Sequence, residues 1–513
     1  MVKKLAVILL ALIMAFSSVC VFASNEKKVY KLADVTETGT ELKTNGEYFT
    51  VEKAQGWFGI KNVDLTGVGS IGLTGKNPMH GWTNAEIFRI KIDDPMGEAI
   101  GFVAFNETTE DDSDVTCRGN ISAVSGKHDL YFVTTLSKPS AKWQLNGITL
   151  YTDKVVRETV SDDYIVDDWS DTWAAVDDYG RKVADYEEAG PVKEGDRYVG
   201  MMYWNWHTGA DSNYNIVIPE VIKKDPEARY DVFRDSWYNN TSKVWWGQPV
   251  YGFYTSQDYW VYKKQFEILS NAGVDALFMD YTNGGCTFTE NLITLMEALL
   301  ECKKEGLDIP KISWYGAMGP FNNNTFDETL SFYYNVYCDD RYRDLWFTWD
   351  GKPFAADWST KDQSQEMINQ NDKDIIKTQD LLEELLELRH FGARYKESEG
   401  GDLSWLETYP QYPRGNKRAD GRVEMFSVGT AINESTVPNV GDGVFSDPYS
   451  RGRAFSEAFG EDYSADNGRK PYFFREQAAL ALEYDPAFVY IDGWNEWNTV
   501  KYDSYGSYKA GFC

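Results

Sequence analysis

Positive charge, histidine and cysteine are all scarce in this chain. Across 513 residues, 51 Lys and Arg stand against 80 Asp and Glu, a formal net charge of −29 with a pI near 4.6. Nucleic acids and anionic membrane surfaces are held by clustered Lys and Arg, so neither is an expected partner. The substrate should be neutral, or met only locally. Only 4 His occur and no two lie at ligand spacing, so no metal site is expected. A Gly-x-Ser-x-Gly elbow, which an esterase nucleophile would need, is also missing. Of the 6 Cys, Cys20 falls in the N-terminal segment expected to be removed, and the five that remain, Cys117, Cys286, Cys302, Cys338 and Cys513, are scattered and odd in number. They spell neither a disulfide framework nor a zinc set and read as free thiols.

Long apolar runs are confined to the N-terminus. Lys3 and Lys4 precede an apolar run over 5–16, followed by Val21-Phe22-Ala23, the pattern of a cleaved export signal over 1–23. The run is shorter than the ~20 residues a spanning helix needs. Lipidation at Cys20 is disfavoured by the bulky Val19 before it. A secreted or cell-surface protein with no membrane insertion after signal removal is expected. What is abundant is aromatic: 15% of residues, with 18 Trp and 33 Tyr. Flat rings stack on the C–H faces of sugars while polar groups take the hydroxyls. An exported, acidic, Trp-rich chain therefore points to a polysaccharide or glycan partner.

The pattern along the chain divides it. Residues 28–152 alternate over short segments broken by Gly, Asn, Asp and Pro, with strands expected at 85–92, 99–105, 128–134 and 142–151; this predicts a β-sandwich of jelly-roll type. A polar stretch over 153–168 reads as a linker. From 169 to 513, apolar strand-like runs alternate with helical periods. Strands are expected at 198–203, 250–254, 274–279, 311–314, 345–348, 403–406, 423–428 and 488–491, and helices at 258–272, 290–305, 374–391 and 473–483. Eight strands with intervening helices predict an α/β fold of the (β/α)8 TIM-barrel type, with a doubly wound open sheet as the alternative. Little chain follows the last strand, so the barrel is expected to be truncated at its C-terminal end. The glycine-rich Gly69–Lys76 segment lacks the spacing and the strand-to-helix setting of a phosphate loop.

Four motifs in order, Trp57-Phe58-Gly59-Ile60-Lys61-Asn62-Val63-Asp64, Ala85-Glu86-Ile87-Phe88-Arg89-Ile90-Lys91-Ile92-Asp93, Met96-Gly97-Glu98-Ala99-Ile100-Gly101 and Val124-Ser125-Gly126-Lys127-His128-Asp129-Leu130-Tyr131, make 45–151 similar to family 6 carbohydrate-binding modules. The resemblance implies a sugar-binding sandwich, with a structural calcium as its one possible ion, although no dense Asp/Asn loop supports one. The family's cleft uses an aromatic in the first motif, a Trp in the loop after the third and an Asn near the end. This chain has Ile60, a loop over 107–117 without aromatics, and Gln144 in those places. Binding and a decayed cleft both remain open, and Trp57 and Trp82 read as core rings.

Near the other end, Asp492-Gly493-Trp494-Asn495-Glu496-Trp497 resembles the end of the last barrel strand in glycoside hydrolases of families 71 and 99, with weaker likeness spread over 165–498. The resemblance implies cleavage of glycosidic bonds. That chemistry needs one carboxyl to protonate the leaving oxygen and a second as nucleophile or base. Glu496, flanked by Trp494 and Trp497, suits the acid. Family 99 enzymes carry a second Glu three residues on, where this chain has Thr499, so Asp280 is the expected partner, with Asp492 and Asp357 in reserve. Substrate contacts are expected from Trp204, Trp206, His207, Tyr254, Asp258, Tyr281, Asn283, Tyr315, Tyr409, Gln411, Trp494 and Asn495, with Trp314 beside them; for each ring a core role is the competing expectation. The function expected is a secreted glycoside hydrolase with an appended carbohydrate-binding-like module, needing no cofactor. The alternative is a non-catalytic secreted glycan-binding protein that kept the cleft and lost a carboxylate.

Overall fold

The computed structural model describes residues 25–155 and 176–512, apart from 183–196, 208–216, 317–331, 358–384, 392–401, 432–452 and shorter stretches. The expected signal over 1–23 and most of the expected linker lie outside the described residues. The chain forms two compact units, Met1–Val156 and Arg157–Cys513.

Among the described residues of the first unit, eleven strands occur: β1 Glu26–Lys31, β2 Glu37–Thr38, β3 Leu42–Thr44, β4 Phe49–Val51, β5 Trp57–Asp64, β6 Ser70–Lys76, β7 Glu86–Ile92, β8 Ala99–Phe105, β9 Val115–Asn120, β10 Lys127–Thr134 and β11 Gln144–Tyr151. They pair in two antiparallel sheets, β3-β4-β11-β6-β9 with β1 on β11, and β2-β5-β10-β7-β8. Apolar residues at alternate positions, such as Phe88 and Ile90, Leu130 and Phe132, or Ile71 and Leu73, are fully buried in one core. A strand presents successive side chains to opposite faces, so this alternation places a single apolar layer between the sheets. Phe58 stacks on Phe132 at 5.1 Å and Phe88 meets Trp143 edge-on at 4.9 Å. The β-sandwich expected from the sequence is present. Ile60 is buried in its core.

The second unit centres on parallel strands: β12 Tyr198–Tyr203, β14 Ala276–Tyr281, β15 Lys311–Gly316, β17 Lys352–Asp357, β18 Glu387–His390, β20 Val423–Val428 and β23 Phe488–Ile491. Short antiparallel partners flank them: β16 Thr348–Trp349 on β17, β19 Pro413–Lys417 on β20, the pair β21 Phe455–Ser456 with β22 Glu461–Asp462, and β13 Lys243–Trp245 with β24 Asn498–Tyr505 and β25 Tyr508–Phe512. Four α-helices occur among the described residues: α1 Ile218–Lys224, α2 Tyr259–Asn271, α3 Thr289–Lys304 and α4 Tyr472–Tyr484. Asp258 starts α2, its carboxylate accepting from the amides of Trp260 and Val261. The helix buries Tyr262, Gln265, Phe266 and Leu269, a 3- and 4-residue spacing that puts them on one face.

The order β18-β17-β15-β14-β12-β23-β20 follows the chain around a ring, since the first parallel strand, β12, pairs with the last, β23. A doubly wound sheet would reverse direction at a switch point and keep these strands apart. The ring is curled tightly. Phe391, just after β18, touches Tyr490 on β23 at 5.4 Å between centroids, whereas five flat strand spacings would separate those strands by about 24 Å. Across the remaining gap, the Leu403 amide donates to His390 O at 2.7 Å, the Ser427 hydroxyl donates to Ser404 O at 2.7 Å, and Arg389 pairs with Glu424 at 2.9 Å. The interior is packed with Met202, Phe278, Tyr315, Phe354, Phe391, Leu403, Met425, Phe488 and Tyr490. Gly200 lies under this layer because any Cβ there would come within 2.5 Å of the Phe488 ring.

Several expected elements differ. Residues 250–254 turn rather than extend, as Pro249 and Gly252, with φ of 76°, break the run. The strand expected at 345–348 is displaced to β17, because Arg343–Leu345 winds into a 3-10 turn and β16 folds back as a hairpin on β17. The helical period expected through 391 ends in β18, where pairing with β17 overrides local propensity; 374–384 lie outside the described residues. In 403–406, Leu403 and Ser404 bridge the gap without forming a strand, and 405–406 are not described. Burial pushes the Cys302 and Cys338 thiols up to about 12, and neither is in a disulfide. No described helix is long and apolar enough to cross a membrane.

Phe278 touches Phe354, Phe391, Phe488 and Tyr490. Phe278→Ala is expected to lower the stability of this unit by roughly 3–5 kcal/mol, the usual range for a buried ring removed from a packed core. Urea unfolding followed by far-ultraviolet circular dichroism checks it.

Candidate active site

Alternation along the strands carries the acidic groups to one place. Interior positions run Met202 on β12 then Trp204 just past its end, Phe278 then Asp280 on β14, and Phe488 and Tyr490 on β23 then Asp492 past its end. In each case the apolar layer ends where the strand reaches its C-terminal mouth, and the next inward residue is polar or aromatic. Met202 is in register with Phe278, which sets Trp204 beside Asp280. The indole Nε1 donates to Asp280 Oδ2 at 2.9 Å, while the amide and hydroxyl of Thr282 donate to Oδ1 at 3.0 and 2.8 Å.

The chain then turns Glu496 toward the same mouth. The Asp492 amide donates to Val428 O at 3.0 Å on β20. Gly493 adopts φ of 84°, a left-handed backbone that favours glycine. The Trp494 amide donates to Met202 O at 3.0 Å. Asn495 then clasps the backbone of Trp204 from both sides: Oδ1 accepts from its amide and Nδ2 donates to its carbonyl, each at 2.8 Å. Behind this clasp, Gln265 on α2 accepts from the Tyr203 hydroxyl at 2.5 Å and from Trp494 Nε1 at 3.2 Å. The segment bearing Glu496 is thus pinned to β12.

Electrostatics separates the three carboxyls. Each keeps part of its surface open, yet all lie deep enough that loss of hydration dominates. Burial raises Asp280, but the donors on Thr282 and Trp204 oppose it by favouring the ionised form. Asp492 has no such donors among the described residues. Burial and the charge of Asp280 push it up to about 7. Burial, then the charges of Asp280 and Asp492, hold Glu496 well above the usual carboxylate range. A like charge close by disfavours a second ionisation. The site therefore sets Asp280, whose donors favour the charged form, against Glu496, whose surroundings favour the neutral form.

The structure gives many of the other expected site residues structural tasks. Asp258 caps α2. Asn495 holds backbone. Gln411 ties Ser427 O and Gln477 O through its amide nitrogen at 2.8 and 3.3 Å. Tyr281 faces away from the interior, its hydroxyl accepting from Asn205 at 3.1 Å and its ring tilted on Trp314 at 4.6 Å. His207 is buried between Trp245 and Tyr254. The Tyr254 hydroxyl lies 3.4 Å from Asn495 Nδ2. Tyr315 is buried in the interior layer in register with Asp280, and Asp357 is buried at the end of β17. Trp206 and Trp494 remain half-buried near Trp204 and Gln265. Asn283 and Tyr409 lie outside the described residues. Thr282, Gln265 and Tyr490 belong to the site and escaped the sequence. For Tyr490 the period of two from Asp492 was the available signal. In the first unit, Trp57 packs edge-on to Tyr131 at 5.2 Å and Gln144 is exposed; Trp82 and most of the loop over 107–117 are not described. No group of three or more His, Cys, Asp or Glu is arranged to hold a metal ion among the described residues.

Asp492, with its folded pKa above the unfolded value of about 4, lends stability that is complete below pH ~4 and lost as pH rises through about 7. Asp492→Asn, which cannot ionise, should be more stable than the parent at pH 8, by on the order of 2 kcal/mol, and equal to it at pH 4. Thermal unfolding at the two pH values checks this.

No sequence family and no curated protein matches the chain. Among solved structures, it is similar to a family 6 carbohydrate-binding module from Clostridium cellulolyticum in complex with xylose, at 22% identity and a TM-score of 0.21 over 24% of this chain and 95% of that one. It is also similar to a β-1,3-glucan-binding family 6 module from Bacillus halodurans, at 18% identity and a TM-score of 0.21 over 24% and 95%. A third is a family 43 arabinoxylan arabinofuranohydrolase from Bacillus subtilis, at 13% identity and a TM-score of 0.21 over 24% of this chain and 27% of that one.

Proposed function

We propose that the second unit is a (β/α)8-type glycoside hydrolase domain and that the protein is secreted to act on an extracellular polysaccharide or glycan, with the sandwich as a carbohydrate-binding-like module. The observation that carries the reading is the meeting of two differently surrounded carboxyls at one mouth: Asp280, whose elevation by burial is opposed by three hydrogen-bond donors, and Glu496, raised well above the usual range by burial and like charge. Paired groups whose surroundings push their protonation apart are what acid/base cleavage needs. Glu496 gives its proton to the glycosidic oxygen as the bond to the anomeric carbon breaks and its electron pair passes to that oxygen. Asp280 either attacks the anomeric carbon or takes the proton of the water that does. Trp204 orients Asp280 through its indole. The N-terminal export pattern supports secretion.

Glu496→Gln should lower kcat by roughly 10²–10⁴-fold, the range for loss of a positioned acid, measured as reducing ends released across a polysaccharide panel. Undetectable hydrolysis by the unmutated protein, with glycan binding intact, would favour a binding protein instead. The rate should fall at low pH as Asp280 takes a proton and at high pH as Glu496 loses one. Because Asp492 lends its charge to the elevation of Glu496, Asp492→Asn should move the alkaline limb to lower pH, read from the profile of kcat/KM.

A further inference from the structure

Tyr490 lies on β23 and Asp492 just past its end, two residues on, so that by alternation both fall on the inward side. Tyr490 is fully buried, its ring wedged edge-on against Phe278 at 5.2 Å and Phe391 at 5.4 Å. Its hydroxyl has no hydrogen-bond partner, although it lies close enough to Asp492, Asp280 and Tyr315 to feel their charge. A buried hydroxyl left unbonded is costly and uncommon. Directly above it, the Asp492 carboxyl receives no hydrogen bond from any described residue, while keeping part of its surface open to the mouth. No Lys or Arg is among the groups that act on Asp280, Asp492 or Glu496. Two polar groups that no described residue bonds, at an acidic mouth where no described Lys or Arg acts, match a ligand that brings hydroxyls and no negative charge.

We propose that Asp492 and the Tyr490 hydroxyl form the polar floor of the substrate site and bind hydroxyl groups of an uncharged sugar unit, excluding uronate and sulfated sugars. This rests on the glycoside hydrolase reading of the same mouth, and gives Asp492 a binding role separate from the acid and its partner carboxylate. The sugar hydroxyl accepts from Tyr490 and bonds to Asp492 whichever protonation state that carboxyl holds. An anionic sugar would meet Asp280 and Asp492 without a counter-charge from the described residues, and like charges brought together at an interface weaken binding.

The test is calorimetric titration of full-length Glu496→Gln, which spares the ligand, with neutral cello-, xylo-, manno- and laminari-oligosaccharides and with uronate-containing oligosaccharides. The same titrations are run on Glu496→Gln carrying Tyr490→Phe. The sandwich is common to both proteins, so their difference reports the floor. The neutral sugar that binds should lose roughly 3–10-fold in affinity on Tyr490→Phe, as for one hydrogen bond removed, and uronate sugars should bind at least ~10-fold more weakly than neutral ones. Tyr490→Phe only removes an oxygen without a partner, so its melting temperature should not fall; this separates lost affinity from misfolding. Unchanged affinity in Tyr490→Phe, as when a water fills the floor, overturns the proposal, and so does uronate binding as tight as neutral binding. Hydrolysis is followed separately in the unmutated protein. Binding sensitive to Tyr490 without any hydrolysis would sink the enzyme and leave the floor standing. Hydrolysis of a neutral glycan with KM indifferent to Tyr490→Phe would do the reverse.

Discussion

Everything at the mouth of the second unit depends on the pairing of β12 with β23. These strands come from opposite ends of the unit, and their parallel register converts an ordered row of strands into a curl whose edges approach. Without it, Asp280 on β14 and Glu496 beyond β23 would share no environment, and the charge of Asp280 would not act on Glu496. The pairing is reinforced where function needs it, by the two-sided clasp of Asn495 on the Trp204 backbone. A carboxyl placed by backbone hydrogen bonds on a packed layer of rings is held more tightly than one carried by a free loop.

The same packing generates the electrostatics. Rings filling the interior exclude water from below, so any carboxyl at the next inward position loses hydration on one side. What distinguishes the three is the count of donors: three for Asp280 and none from the described residues for Asp492 or Glu496. Dense apolar support and sparse polar satisfaction thus act together. The stability sacrificed in burying unpaired acids is a common cost of sites that do chemistry.

The sequence made much of this legible. Strong period-two and period-3.6 patterns marked β12, β20, β23, α2, α3 and α4 to within a residue or two, because in these elements local pattern and tertiary demand agree. Where they disagree the sequence misled. The helical period through 391 yields to β18 by pairing with β17, and the run over 250–254 gives way to a turn imposed by Pro249 and Gly252. Asp258, Gln411 and Asn495 looked like ligands because polar residues after strands suit either role; only their neighbours showed them capping a helix or holding backbone.

Composition and period by themselves determined a two-part chain and an acidic and aromatic character, while the candidacy of Glu496 and Asp280 was what the resemblance to glycoside hydrolases implied. These are properties of residue type and spacing, which a linear chain carries in full. Tertiary structure alone decided that Asp492 joins them as a third coupled acid, that Thr282 and Trp204 donate to Asp280 against the effect of its burial, and that Tyr490 lies beneath with its hydroxyl unbonded. Each of these is a matter of distance and hydration between groups on different strands, and such quantities exist only once the sheet has curled and expelled its water.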